Sequence, residues 1–296
     1  MFEAINRIIE NEIKESNLDS YSVILGISPS EGARSPNLWN KVYEFEKKNI
    51  QMVPLDVRQE NLEELFNHLK HDEHCLGGAV AVPYKEKIFN LIKGNVKKEI
   101  ESIRAVNCFY RKPTGSLIDE FTGTNTDGEA ALEPVMEYLE QNKDLNIGLM
   151  GYGGAGKAIA AYLLKDFKHK HQIQVFNRTP IKPKSTNIVG LDTFLLGDLD
   201  HFLPHFDLLI NATSVGHIDS SYASPVATRL LAKAKKTLIV YDIIYDPIKT
   251  ALLQSSEKIG LRTINGLRMN LTQAVLAYGY TNPTNLVKEE IYKIMS

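Results

Sequence analysis

Several features are scarce in this 296-residue sequence, and each of them excludes some classes of protein. Only two cysteines occur, Cys75 and Cys108, which are too few for a disulfide framework and are not spaced as a pair of metal ligands. We therefore expect both to be thiols in the core of a protein from a reducing compartment, and we expect no metal site. The 34 basic and 36 acidic residues leave a net charge of −2, which gives no electrostatic signature of binding to nucleic acid or to an anionic membrane.

Long apolar runs are also missing. Residues 1–17 have neither the apolar core of a signal peptide nor the length of a membrane span, so we expect a cytoplasmic protein that does not associate with membranes. A hydrophobic content of 43% and a charged content of 24% are ordinary for a globular protein with a well-formed core.

The first part of the chain alternates strand patterns with helix patterns, which predicts an α/β fold with a mostly parallel sheet. The predicted strands are 21–27, 50–57 and 78–82, and the predicted helices are 36–48, 61–70 and 83–93. A hairpin-like pair, 105–111 and 117–121, follows around Pro113-Thr114-Gly115, where we expect the hinge between two domains.

A glycine-rich segment carries the most informative motif. The run 146–150 reads as a strand, Gly151-Tyr152-Gly153-Gly154-Ala155-Gly156 as a turn, 158–167 as a helix and 173–176 as a second strand. In a dinucleotide fingerprint, such glycines allow the tight turn and let a pyrophosphate reach the helix N-terminus. A glycine-rich turn without a ligand is the alternative, but the flanking strand and helix favour a Rossmann-type cofactor site.

The end of the second strand indicates which dinucleotide binds. An NAD site usually has an acidic residue there for the ribose 2′-hydroxyl, but no carboxylate occurs between Gln172 and Gly190. The chain has Asn177-Arg178-Thr179 instead, followed by Lys182 and Lys184. Because a guanidinium matches phosphate in a bidentate way, this cluster predicts NADP, with NAD as a secondary cofactor. An ordinary basic surface turn is the alternative.

The predicted elements divide the chain into three parts. We expect residues 1–120 to form a substrate domain and residues 121–264 a dinucleotide-binding domain. The second of these is predicted to begin with a helix over 127–141 and to end with a short strand over 262–264. The helices predicted within 265–296 are expected to pack back on the substrate domain. The predicted class is therefore a two-lobe α/β protein.

Two residues are candidates for proton transfer in a nicotinamide enzyme. Lys85 follows Val82-Pro83 at the start of a helix, at the carboxyl edge of a parallel sheet where ligands bind in open α/β folds. Asp127 stands at the corresponding edge, where the first lobe passes into the second. The alternatives are a solvated helix lysine and a helix N-cap aspartate.

At these residues the chain resembles the shikimate dehydrogenase family, NADP-linked enzymes of aromatic biosynthesis, from about residue 26 to residue 277. The matching segments are Val80-Ala81-Val82-Pro83-Tyr84-Lys85, Ala105-Val106-Asn107, Asn125-Thr126-Asp127-Gly128, Gly151–Gly156 with Asn177-Arg178-Thr179, Asn211-Ala212-Thr213-Ser214-x-Gly216, Tyr241-Asp242-x-x-Tyr245-x-Pro247 and Met269-x-x-x-Gln273-Ala274. So many motifs in one order make a chance match remote.

The resemblance implies reversible, NADP-dependent oxidation of shikimate to 3-dehydroshikimate, and a role for each matched residue. Lys85 and Asp127 would be catalytic. The implied substrate-binding residues are Ser35, Asn107, Tyr245 and Gln273. The implied cofactor-binding residues are Gly151, Gly153, Gly154, Ala155, Gly156, Asn177, Arg178, Thr179, Thr213, Ser214, Gly266 and Met269.

The chain departs from the family at positions that face the substrate. Ala33-Arg34-Ser35-Pro36 stands where the family has Ser-x-Ser-Pro for the substrate carboxylate, and we expect Arg34 to take over from the missing serine. An exposed loop arginine is the alternative. Ala79 and Ala81 stand where the family has asparagine and threonine. We therefore expect the chemistry to be retained and the substrate specificity to be shifted. Shikimate is the first candidate substrate, and a related ring hydroxy-acid such as quinate or an amino-shikimate is the alternative.

Two other functions are consistent with parts of the pattern. A methylene-tetrahydrofolate dehydrogenase shares the two-lobe arrangement and uses a lysine, but the segments around Asp127 and Gln273 argue against it. A non-catalytic NADP-binding regulator is the other alternative. For the shikimate dehydrogenase interpretation, the expected partner is a small cyclic hydroxy-carboxylate, with no nucleic acid and no membrane, and the expected state is a monomer or a homodimer.

Overall fold

The computed structural model describes residues 1–14, 16–92, 94–98, 100–111, 120–181, 191–217 and 223–296. These residues form two compact units. The first consists of Met1–Thr126 and Leu271–Ser296, and the second of Asp127–Asn270. Each unit has its own sheet. Among the described residues, none of the helices combines the length and the apolar composition that a membrane span requires.

The sheet of the first unit has five strands in the order β2-β1-β3-β4-β5. Their bounds are β1 Ser20–Gly26, β2 Ile50–Asp56, β3 Cys75–Val80, β4 Cys108–Arg111 and β5 Phe121–Thr124. β1 pairs in parallel with β2 and β3, and β4 is antiparallel to both β3 and β5. The parallel strands place the residues that follow β1 and β3 at the same edge of the sheet.

The sheet of the second unit has six parallel strands in the order β11-β10-β9-β6-β7-β8. Their bounds are β6 Asn146–Met150, β7 Gln172–Asn177, β8 Asp192–Leu195, β9 Leu208–Asn211, β10 Ile239–Asp242 and β11 Arg262–Ile264. Counted within this unit, the order is that of a doubly wound dinucleotide-binding sheet. The strand order reverses between β6 and β9, and ligands of such sheets bind beyond the carboxyl ends of the strands at that point.

The described helices, in chain order, are α1 Glu3–Asn6, α2 Pro29–Gly32, α3 Ser35–Phe45, α4 Leu62–His71, α5 Lys85–Ile92, α6 Ile100–Ile103, α7 Asp127–Leu132, α8 Met136–Gln141, α9 Gly154–Phe167, α10 Leu199–Phe202, α11 Thr228–Leu231, α12 Ala251–Lys258, α13 Leu267–Thr281 and α14 Lys288–Met295. Helical spacing explains their buried faces. In α4, Leu62, Leu65, Phe66 and Leu69 are all buried.

The core of the first unit joins residues from both ends of the chain. The ring of Trp39 on α3 meets that of Tyr278 on α13 edge to face, with centroids 5.4 Å apart, and the Trp39 indole N–H donates to the Ala274 carbonyl at 3.1 Å. Met295 on α14 belongs to the same buried cluster. The C-terminal segment is therefore part of the first unit's core.

The predicted α/β class with mostly parallel sheets is confirmed, and local differences have physical causes. The helix predicted over 127–141 is broken by a 3₁₀ turn at Glu133–Val135, because Pro134 lacks the amide N–H that a continuous helix needs. The second hairpin strand lies at Phe121–Thr124 rather than 117–121, and the edge strand β8 was not predicted. Leu117, Pro113-Thr114-Gly115, Lys182 and Lys184 lie outside the described residues.

Candidate active site

The glycine turn between β6 and α9 is shaped by two close contacts. Gly151 has φ +95°, a left-handed conformation that favours glycine, and a Cβ there would lie 2.9 Å from the Ala212 carbonyl. A Cβ on Gly156 would lie 2.2 Å from the Gly151 oxygen. A Cβ on Gly153 would meet no atom of the described residues within 4 Å. Close packing therefore requires glycine at positions 151 and 156, whereas Gly153 leaves open space before α9.

That open space is suited to an anion. Gly154, Ala155 and Gly156 begin α9, and the first N–H groups of a helix have no acceptor within the helix. The positive end of the helix dipole adds to their attraction for phosphate. The residues present therefore fit the pyrophosphate of a dinucleotide.

Asn177 joins the end of β7 to the glycine turn. Its side-chain oxygen accepts the Tyr152 N–H at 3.3 Å, and its side-chain nitrogen donates to the Thr179 carbonyl at 3.1 Å. The side chains of Arg178 and Thr179 are exposed. The structure thus brings a guanidinium-bearing turn beside the turn that follows β6.

The loop after β9 lies against the same glycine turn at the point of strand reversal. The Ala212 N–H donates to the Met150 carbonyl at 2.8 Å, and a Cβ on Gly151 would lie 3.0 Å from Thr213 Cγ2. The N–H and the hydroxyl of Thr213 both donate to the Asn211 side-chain oxygen, at 3.1 and 2.7 Å. Thr213 is therefore placed next to the predicted cofactor turn, and Ser214 follows it in the chain.

Lys85 is the first residue of α5 in the first unit and is half-buried. The turn that leads to it is anchored on both sides. The Tyr84 hydroxyl donates to the Val57 carbonyl at 2.6 Å, and the Lys85 carbonyl accepts the Val106 N–H at 2.9 Å. These contacts fix the backbone from which the ammonium group extends.

A buried polar cluster surrounds Asn107. Its side-chain nitrogen donates to the Thr126 hydroxyl at 2.9 Å, and its side-chain oxygen accepts the Thr126 N–H at 2.8 Å. The Thr126 hydroxyl in turn donates to the Gln273 carbonyl at 3.2 Å. Three motifs far apart in sequence, those of Asn107, Thr126 and Gln273, therefore meet in the first unit.

The remaining predicted residues are distributed over both units. Ser35 is buried at the start of α3, after a half-buried Arg34. In the second unit, Asp127 is the buried first residue of α7, Tyr245 is half-buried after β10, and Met269 is buried in α13. The Gly266 N–H donates to the Ile244 carbonyl at 3.1 Å. The pairing of Lys85 with Asp127 stays a prediction.

Sequence reasoning missed two residues that organise these sites. The sequence pattern gives Thr126 no role of its own, yet this residue connects Asn107 to Gln273. The pattern likewise gives Asp242 no separate role, yet this carboxylate is fully buried and accepts three hydrogen bonds from described residues. For Asp242 the available signal was a carboxylate at the end of an apolar strand, at the edge where ligands bind, whereas β5 before Thr126 is itself largely polar and gave no such signal.

Taken together, these features define an α/β protein of two units, one of which has the sheet order and the glycine turn of a dinucleotide-binding domain. Comparison with known proteins agrees with this class. A family model for the shikimate dehydrogenase substrate binding domain matches residues 27–109.

Relatives cover nearly the whole chain. The shikimate dehydrogenase (NADP(+)) of Pyrococcus abyssi is 38% identical over 84% of this chain and 88% of its own length. That of Methanococcus vannielii is 30% identical over 94% and 99%. A crystal structure of a shikimate dehydrogenase in complex with NADP+ matches with a TM-score of 0.75 at 27% identity, covering 94% of both chains. The chain belongs to the shikimate dehydrogenase family, as the motifs predicted.

Proposed function

We propose that this protein is an NADP-dependent dehydrogenase that interconverts shikimate and 3-dehydroshikimate reversibly. The observation that carries the proposal is the likeness to relatives named shikimate dehydrogenase (NADP(+)), at 30 to 38% identity over 84 to 94% of the chain. It is supported by residues of the right chemistry at each motif, in particular an intact Lys85 and an intact Asp127. We also propose a cytoplasmic location and a monomeric or homodimeric state.

For the cofactor, the proposal rests on the second unit. The open space at Gly153 and the first N–H groups of α9 would bind the pyrophosphate. The exposed guanidinium of Arg178 would bind a ribose 2′-phosphate in a bidentate way, with Asn177 holding its turn against Tyr152. NADP when bound takes up or returns a hydride at its nicotinamide ring.

For the substrate, the proposal assigns proton transfer to two side chains. As the ring hydroxyl becomes a ketone, Lys85, acting as the free amine, would take the hydroxyl proton, and Asp127 would orient the ammonium group that this transfer forms. In the reverse reaction that ammonium group would return the proton. Asn107, Tyr245 and Gln273 would bind ring hydroxyls. Ser35 and Arg34 would bind the carboxylate, since a guanidinium can replace a hydroxyl donor there.

A second candidate keeps the same chemistry on another ring hydroxy-acid. Ala33 and Ala81 pack against the apolar cluster that contains Leu38, Trp39 and Ala274. Neither methyl group can donate or accept a hydrogen bond, so a substrate group facing them gains nothing from being a hydroxyl. Because these positions lack the polar groups that the family has there, a related ring hydroxy-acid such as quinate or an amino-shikimate is the second candidate after shikimate.

The test is turnover measured at 340 nm with NADP or NAD and a panel of shikimate, quinate and amino-shikimate. In Lys85→Met, which keeps the length of the side chain but removes its charge, we expect kcat to fall by roughly 10²- to 10⁴-fold while the Kd for NADPH is unchanged. Lys87→Met, two residues further along α5, is the matched control and should retain turnover.

Two results would contradict the proposal. Full activity in Lys85→Met would show that Lys85 does not take part in proton transfer. Tight NADPH binding by the parent protein, with no turnover of any acid in the panel, would instead indicate a regulator that has kept the fold without the reaction.

A further inference from the structure

Asp242 is a buried carboxylate at the end of β10 and is not exposed to solvent. It accepts hydrogen bonds from the Asn211 side-chain nitrogen at 3.0 Å, the Ile244 N–H at 3.1 Å and the Thr250 hydroxyl at 2.7 Å. Within the described residues, no ion pair joins it to a lysine or an arginine. Burial raises the pKa of Asp242 to about 6, and the hydrogen bonds offset only part of that rise. Burying a carboxylate costs free energy because it loses its contacts with water, so a role for Asp242 is expected in the two loops that it contacts.

On one side, Asp242 fixes the orientation of the Asn211 amide. The Asn211 oxygen accepts both the N–H and the hydroxyl of Thr213, while its nitrogen donates to the Val215 carbonyl at 3.3 Å and to Asp242. If the amide were flipped, its NH₂ group would face the Thr213 donors and its oxygen would face the carboxylate. Asp242 therefore selects the amide orientation on which the fold of the loop 211–216 depends.

On the other side, Asp242 fixes the loop that carries Tyr245. The Ile244 N–H donates to one carboxylate oxygen, and Tyr245 follows directly. The Thr250 hydroxyl donates to the other oxygen and also caps α12 by accepting the Leu253 N–H at 3.4 Å. Both ends of the segment 243–250 are thus held by a single side chain.

We infer that Asp242 is a positioning residue, which holds the loop 211–216 and the loop 243–250 in the one arrangement that lets Thr213 and Ser214 meet the cofactor and Tyr245 meet the substrate. This inference rests on the proposed function for what the loops bind. The hydrogen bonds among Thr213, Asn211, Asp242, Ile244 and Thr250 form one continuous network within the second unit. Loosening it at Asp242 releases both loops together.

The test compares two substitutions at one site. Asp242→Ala removes every acceptor and leaves the Asn211, Ile244 and Thr250 donors without it. Asp242→Asn keeps an oxygen for Asn211 and Ile244, and its NH₂ group can donate to the Thr250 oxygen, so most of the network survives. Ser256→Ala is the matched control, because its hydroxyl is equally buried in α12 but donates to the Leu252 carbonyl, outside the network.

At a temperature where all variants are folded by circular dichroism, we expect Asp242→Ala to raise the Kd for NADPH, read by nucleotide fluorescence, roughly tenfold or more. The KM for the acid should rise by a similar factor. Asp242→Asn should stay within about threefold of the parent in both quantities, since it loses little more than one polar contact. Ser256→Ala should lower Tm without changing Kd or KM.

Unchanged Kd and KM in folded Asp242→Ala would overturn the inference and leave a purely structural role. If Asp242→Ala does not fold, Thr250→Val serves instead. Thr250→Val should raise the KM for the acid, and the Tm of Ser256→Ala shows how much stability a buried hydroxyl of α12 contributes without any effect on KM. An unchanged KM in Thr250→Val would likewise overturn the inference. If the parent turns over no acid in the panel, the proposed function fails, while the Kd for NADPH still tests Asp242.

Discussion

Arg178 is the residue on which cofactor preference is expected to depend. Its exposed side chain lies in a turn that Asn177 ties to the glycine turn, and no carboxylate in the neighbouring sequence would favour a free 2′-hydroxyl. In Arg178→Ala we expect the Kd for NADPH to rise about 10- to 100-fold, the loss typical of a hydrogen-bonded charged partner, while the Kd for NADH changes little. Fluorescence titration with both nucleotides measures the ratio.

Arg229→Ala is the control, because it removes one exposed positive charge from the same unit without touching the turn. Equal losses in the two variants would show a general charge effect and contradict a 2′-phosphate contact at Arg178.

Tyr241 offers a prediction about stability. Its hydroxyl is buried and has no hydrogen-bond partner among the described residues, and burial, followed by the charges of Glu133 and Asp242, raises its pKa far above the usual range. In Tyr241→Phe we expect the free energy of unfolding to increase by about 1 kcal/mol, because an unsatisfied polar group leaves the core. Urea denaturation measures this change.

Tyr43→Phe should shift stability in the opposite direction. The Tyr43 hydroxyl donates to the Asn282 oxygen at 2.7 Å and lies 2.8 Å from the Ser22 hydroxyl, so its removal leaves buried partners without a contact. Destabilisation of both variants by the same amount would contradict the assignment of Tyr241 as unsatisfied.

At the scale of single residues, sequence reasoning was strongest where the backbone imposes the requirement. Gly151 and Gly156 were predicted from spacing alone, and the positive φ and the close contacts explain them. The partners of Asn107 could not be predicted, because its contact with Thr126 and the contact of Thr126 with Gln273 join residues 19 and 147 positions apart. Hydrogen bonds of that range depend on the completed fold.

The C-terminus of α3 allows a prediction for a whole element. The helix ends at Phe45, and Lys47 has φ +55° in a Schellman motif, in which Lys48 N–H donates to Tyr43 and Lys47 N–H to Glu44. Because a left-handed residue with a Cβ is strained, we expect Lys47→Gly to increase the free energy of unfolding by roughly 0.5–1 kcal/mol. Thermal denaturation followed by circular dichroism measures it.

Glu44→Gly, at an exposed helical position of α3, is the matched control and should cost about 1 kcal/mol. If both glycines destabilised the protein, the strain argument for Lys47 would be wrong.

Elements with a clear period or a long apolar run were predicted well, and short edge elements were not. The strand 262–264 was predicted with the bounds observed for β11, and the run 146–150 with those of β6. β8 was missed because only four residues form it and its outer two are exposed, which leaves no apolar run. The helix break at Glu133–Val135 was overlooked, although Pro134 gave a readable signal.

At the scale of the whole molecule, the second unit is one continuous stretch, Asp127–Asn270, with a complete six-stranded sheet. A unit with its own core can fold independently. We expect the isolated fragment 127–270 to fold and to bind NADPH within about tenfold of the full chain's Kd, without any turnover. Circular dichroism and fluorescence titration check the two parts of this expectation.

The same fragment with Arg178→Ala is the control and should lose most of that affinity. A folded fragment that binds no nucleotide would show that residues outside Asp127–Asn270 are needed for the cofactor site.

The core of the first unit, by contrast, joins residues that are synthesised early to residues that are synthesised late. Trp39 and Tyr43 pack against Tyr278 and share a buried cluster with Met295, and both of these partners are synthesised after the whole second unit. A nascent chain therefore carries an uncovered aromatic surface until the second unit has been synthesised, and the continuous second unit can fold first. Premature termination before Leu271 would release a polypeptide whose earliest part can never close, a ready substrate for chaperones and proteases.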